Sequence, residues 1–111
     1  MKHKKTIKKT SQHEFENIVK RLTELRAKKN SDYGDGFIKN YDRYGQRLIF
    51  FDLLRKWQRL ENILLTEKET QVSDETIEDT LGDLAVMSIN AMIWLQMQKN
   101  KKINKIKTKL Y

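Results

Sequence analysis

The chain has no cysteine, no proline, only two histidines and only four glycines in 111 residues. Without cysteine there are no disulfides and no thiolate metal sites, a composition that fits a cytoplasmic protein. Without proline nothing breaks a long helix from within, and the glycines are confined to the stretch from Gly34 to Gly82. His3 and His13 are too few for an imidazole-based metal site or triad. No run approaches about eighteen apolar residues, so no membrane span is expected. The start, M-K-H-K-K-T-I-K-K, has no apolar stretch behind its charges and does not read as a secretory signal.

What is abundant is lysine, giving a net charge of +8. Lysines 2, 4, 5, 8 and 9 and lysines 99, 101, 102, 105, 107 and 109 supply 11 of the 23 basic residues, whereas all 15 acidic residues fall between Glu14 and Asp83. The interval from Thr10 to Gln98 therefore holds 12 basic and 15 acidic residues, a net −3. The basicity is terminal. Residues 1–10 read as a basic tail, 11–98 as one helical domain, and 99–111 as a second basic tail or a helix extension. Such tails are usually solvated, and they are the only part of the chain that offers a salt-sensitive attraction to nucleic acid.

Helical spacing organises the rest. Ser11 and Glu14 spell a capping box, and Phe15, Ile18, Val19, Leu22 and Leu25 mark an apolar face, which predicts a first helix from Ser11 to about Lys29. A second helix is predicted from Gly45 or Gln46 to Leu65, with Phe50, Leu54, Trp57, Leu64 and Leu65 on one arc and Glu61 in its centre. A carboxylate there is protonated, at the rim, or ionised against a partner: Arg47 on the same face, an arginine from another helix, or a metal shared with Asp79 and Asp83. Between these helices Lys29 to Gln46 is rich in glycine, aspartate and tyrosine, and reads as a loop or short irregular turn. Its aromatics either cover the end of a bundle or, with Lys29, Lys39, Arg43 and Arg47 beside them, stack a base and pair with phosphate.

The third helix, capped by Ser73 or Asp74, carries two stripes. Ile77, Leu81, Leu84, Ala85, Ser88, Met92 and Leu95 occupy an arc of about 80° and are expected to face the core. Asp79, Asp83, Val86, Asn90, Ile93 and Met97 lie opposite, so both sides are expected to be covered. Asp79 and Asp83, at i, i+4, repel unless a cation or donor lies between them, which makes them candidate ligands for Mg2+ or Mn2+. Asp79 also sits near a helix N-terminus, where negative charge is favoured in any case. The fold class is all-α: a small antiparallel bundle of three main helices, completed by homo-oligomerisation as a dimer or tetramer.

Three strings in this order carry a resemblance: K-N-S-D-Y-G at Lys29 to Gly34, R-L-E-N at Arg59 to Asn62, and D-E-T-I-E-D-T-L-G-D-L-A at Asp74 to Ala85. Together, over roughly residues 11 to 98, they resemble the phage and bacterial nucleotide-modification-associated domain 1 family, itself similar in pattern to MazG-like all-α nucleotide pyrophosphohydrolases. The resemblance implies a nucleotide held between helices, with Lys29, Asn30, Asp32, Tyr33, Arg47 and Trp57 as its contacts. It also implies a Mg2+ or Mn2+ ion on Glu61, Asp79 and Asp83. The match is incomplete, because Trp57, Gln58 and Thr80 stand where the MazG-like pattern has glutamates. A depleted carboxylate set beside an intact loop points to a phage-type protein that binds a nucleotide or nucleotide-derived signal, by sequestration or as an accessory to nucleotide modification. Metal-dependent triphosphate hydrolysis and a helical interaction protein with nucleic-acid-contacting tails are the alternatives.

Overall fold

The computed structural model describes residues 10–33, 35–65 and 77–110, with the backbone alone at 30–33 and 110. Among them are four helices and no strand: α1 (Ser11–Tyr33), α2 (Gly36–Tyr44), α3 (Arg47–Leu65) and α4 (Ile77–Leu110). The expected all-α class holds. The expected caps at Ser73 or Asp74 lie outside the described residues, as does the N-terminal tail. No helix among the described residues is long and apolar enough to cross a membrane. The chain divides into two compact units, Met1–Gly34 and Asp35–Tyr111.

In the first unit α1 starts one residue earlier than the capping-box reading places it. Thr10 is the cap: its Oγ1 accepts the His13 N–H at 3.2 Å, and its carbonyl accepts the Glu14 N–H at 3.1 Å. The helix also passes the expected end at Lys29 and continues to Tyr33. Phe15, Ile18, Val19 and Leu25 of its apolar face are exposed.

In the second unit, part of the expected loop is a helix. Phe37, Ile38 and Tyr41 have the i, i+1, i+4 spacing of a buried face, and α2 forms around them. It ends at Gly45, whose φ of +79° lies in the region that side chains avoid, and whose N–H donates to the Tyr41 carbonyl at 2.8 Å. The turn sends the chain directly into α3. Tyr41 then touches Asp52 of α3 and Trp94 of α4, while Lys56 further along α3 meets Asp83 earlier in α4. The two long helices are therefore antiparallel.

The core of this unit is Tyr41, Ala91 and Trp94, with Phe37, Ile38, Leu48 and Ile49 packed against it. The Tyr41 ring lies edge-on to both Phe37 and Trp94, at 6.2 and 5.8 Å between centroids. Of the two readings of the loop aromatics, Tyr41 takes the structural one; Tyr44 is exposed under the Arg43 guanidinium. Polar groups inside are satisfied by aspartates: Trp94 Nε1 donates to Asp42 at 2.9 Å, and Tyr41 OH donates to Asp52 at 3.3 Å.

The face that α4 packs inward is not the expected one. Thr80, Ala91 and Trp94 are buried, whereas Ile77, Leu81, Met92 and Leu95 from the predicted core stripe are exposed. Two of the three, Thr80 and Ala91, are small residues that hydropathy ranking passes over. Past Gln98 the helix continues through the lysine-rich segment to Leu110, and residues 99–109 are all exposed.

Burial, then the charge of Asp52 and its hydrogen bond, raise the Tyr41 phenol above its ordinary 10.0. A group raised on folding contributes stability that is complete below pH 10 and disappears as pH climbs through the folded-state value. Stability of the native protein should therefore fall more steeply above pH 10 than that of Tyr41→Phe. Parallel alkaline urea titrations of the two proteins measure the difference, and identical slopes would contradict the assignment.

Candidate functional site

The polar residues of the α3–α4 pair gather on the side from which Asp83 and Lys56 meet. Lys56 Nζ lies 3.0 Å from Asp83 Oδ2, with both side chains about 30% exposed (29% and 31%). Beside this pair on α4, Asp79 and Asn90 project within about 40° of Asp83 at 100° per residue. Arg59 follows Lys56 by three residues and Asp79 precedes Asp83 by four. The antiparallel run places Arg59 and Asp79 one turn nearer the α3–α4 connection, on the same side. Thr80, in the same turn of α4, is fully buried. The arrangement is two cations of α3 and two carboxylates of α4 on one side of the pair, with Lys56, Arg59 and Asp83 partly buried and Asp79 exposed.

Such a cluster can hold an anion without a metal. The ammonium of Lys56 is already fixed by a carboxylate, and a guanidinium lies one turn away to take a second phosphate oxygen. The carboxylates accept hydrogen bonds from sugar hydroxyls or base N–H groups.

The residues expected to hold Mg2+ or Mn2+ do not fit that role as placed. On α3, Glu61 projects about 140° away from Lys56, and so away from Asp83. Asp83 has a lysine as its counterion. Among the described residues no three of His, Asp and Glu are grouped for one ion.

The other expected contacts divide between the units. Lys29, Asn30, Asp32 and Tyr33 belong to the last turns of α1 in the first unit, where Lys29 is exposed and the side chains of the other three lie outside the described residues. Arg47, Trp57 and Glu61 share the outer face of α3, Trp57 being 57% exposed. That face is turned away from the Lys56–Asp83 pair. Sequence reading missed Lys56 altogether. Its partner is 27 positions away, and a lysine on a mixed helix gives no local signal of what it will meet. The basic end of α4 is a further feature: Lys101, Lys102, Lys105 and Lys109 are exposed along it, beside half-buried Gln98.

Compared with protein-family models, curated proteins and solved structures, the chain matches none.

Proposed function

We propose that the chain is a nucleotide-binding protein that holds a phosphate-bearing nucleotide, or a signal derived from one, on the polar side of α3 and α4 without hydrolysing it. The observation that carries this reading is the ion pair between Lys56 and Asp83 at 3.0 Å. In the pattern that the three strings resemble, an aspartate at the place of Asp83 serves a metal that carries the phosphates. Here an ammonium stands against that carboxylate, so positive charge for phosphate is provided by the chain itself. Arg59 adds a planar guanidinium suited to bidentate phosphate contact. The depleted carboxylate set leaves no evident base for activating water, which favours retention of the ligand over turnover. The biological role is then sequestration, or presentation of the nucleotide to a modifying enzyme.

The test is to incubate the full chain with a pooled panel of nucleoside triphosphates, cyclic nucleotides and ADP-ribose-type nucleotides, with and without Mn2+. Retained protein is washed and denatured, and the released compound is identified by mass spectrometry. An intact compound recovered with no pyrophosphate in solution is the expected result. Accumulating pyrophosphate would replace this reading with triphosphate hydrolysis, and no retention across the panel would remove nucleotide binding.

A further inference from the structure

We infer that the far half of α4, from Met92 to Lys109, docks along an anionic membrane surface as an amphipathic helix lying in the plane of the headgroups. It rests on the surface and does not cross it, since no helix among the described residues is long and apolar enough to span. The inference is independent of the proposed nucleotide site, because Asp79, Asp83 and Asn90 project to the opposite side of α4.

The argument begins with how α4 ends. Every residue from Lys99 to Lys109 is exposed, yet this length of helix is not polar all round. At 100° per residue Met92, Leu95, Ile103 and Ile106 fall within an arc of about 80°. All four are exposed, from 39% at Leu95 to 66% at Met92. With a rise of about 1.5 Å per residue, they form an apolar line about 20 Å long. Thr80, Ala91 and Trp94, which mark the packed side of α4, project about 100° away. The packed side therefore leaves the line uncovered.

Charge then selects the surface. After Asp83 the sequence has no acidic residue, and Lys99, Lys101, Lys102, Lys105, Lys107 and Lys109 give this end six positive charges. The helix dipole accounts for Lys107 and Lys109 in the last turn, but not for the other four. Lys99, Lys102, Lys107 and Lys109 project within about 80° of the centre of the apolar arc, on the half of the helix that meets the surface. Lys101, 3.9 Å from Asp42, is turned back toward its own unit. A lysine stem lies along apolar surface while its ammonium reaches outward, which is how Lys99 fits in the middle of the arc. Aliphatic side chains at the acyl boundary, with ammonium groups at the level of anionic headgroups, are the arrangement of an interfacial helix.

Two other occupants fit the segment less well. A nucleic acid would use the lysines but not the isoleucines, and residues 99–109 hold no aromatic side chain to stack on a base and no arginine to read one. A second copy of this end would set six lysines against six, with no acidic residue between them. The lysines are spread over the helix instead of being grouped for one fixed ion pair, which suits a laterally fluid sheet of anions.

The experiment is flotation of the full chain with phosphatidylcholine vesicles, alone and with about one third phosphatidylserine. The anionic vesicles are expected to carry the protein upward, the neutral ones to bind about 100-fold more weakly, and added salt to reduce the difference. Replacing Ile103→Gln and Ile106→Gln together keeps every charge and puts a good helix former at each position. This variant should bind anionic vesicles about 10- to 100-fold more weakly, with its retention on a DNA duplex unchanged. Replacing Lys102→Gln and Lys107→Gln together should weaken vesicle binding about 10- to 30-fold. Circular dichroism checks that each variant keeps native helicity. A native chain that stays at the bottom with anionic vesicles would overturn the proposal. So would an isoleucine variant that floats as the native chain does, because the attraction would then be of lysines to any polyanion and the segment would go to nucleic acid.

Discussion

Replacing Trp94 with alanine should destabilise the Asp35–Tyr111 unit by about 3–5 kcal/mol, the usual cost of deleting a large buried aromatic. Few residues share the work of this core: Tyr41, Leu60, Ala91 and Trp94 are the buried apolar side chains among the described residues. A unit of this size has a total stability of roughly 4–12 kcal/mol, so the single change removes a large part of it. Two losses combine. The ring leaves its edge-on contact with Tyr41 at 5.8 Å, and the indole N–H no longer donates to Asp42, which also faces Lys101 at 3.9 Å. Trp94→Phe separates them by keeping a ring and losing the donor; it should cost only about 1–2 kcal/mol, part of it for the smaller ring. Urea unfolding of both variants, followed by circular dichroism, provides the numbers. A loss below about 1 kcal/mol for the alanine variant would place the core elsewhere.

The effect is large because α2 is small and its anchorage is concentrated. Nine residues carry Phe37, Ile38 and Tyr41 onto the long helices, and two aspartates, Asp42 and Asp52, accept the polar hydrogens of Trp94 and Tyr41. Sequence periodicity reads the long helices well: α3 ends at Leu65 as the spacing predicts, and it begins within two residues of the expected start. The helix α2 was hidden because Gly34, Gly36 and Gly45, with aspartates between them, outweigh four turn-spaced apolar residues in any local reading.

On α4 the period was legible but the face was not. Hydropathy favours Leu81, Met92 and Leu95 over Thr80 and Ala91, yet helices pack closest where residues are small, and Thr80 and Ala91 are the ones enclosed. The buried set of Thr80, Ala91 and Trp94 belongs to neither of the two stripes that periodicity marks on α4, so a single-chain reading has no basis for choosing it. Within α3 the same ambiguity made Glu61 look like a member of a carboxylate site. Its helical position, about 140° from Lys56, assigns it to the outer face. The pairing of Lys56 with Asp83 spans 27 positions and follows only once the antiparallel register is known.

That pairing leads to the second large effect, which has opposite signs for its two members. If the proposed nucleotide site is correct, Lys56→Gln should weaken ligand binding about 10- to 100-fold, the worth of a charge-assisted hydrogen bond of about 1.5–3 kcal/mol. Asp83→Asn should tighten it about 2- to 10-fold, because the amide no longer competes with phosphate for the ammonium and no longer repels it. The fold should tolerate both changes. The pair is partly exposed, at 29% and 31%, and such ion pairs contribute about 1 kcal/mol or less to stability, too little for unfolding to explain a hundredfold loss. If Asp83 instead served a metal that carries the phosphates, Asp83→Asn would weaken binding and Lys56→Gln, by freeing the carboxylate, would strengthen it. Isothermal titration of the ligand recovered from the nucleotide panel, with each variant, reads the sign directly. Loss of binding in Asp83→Asn together with a gain in Lys56→Gln would reverse the roles assigned to the two residues.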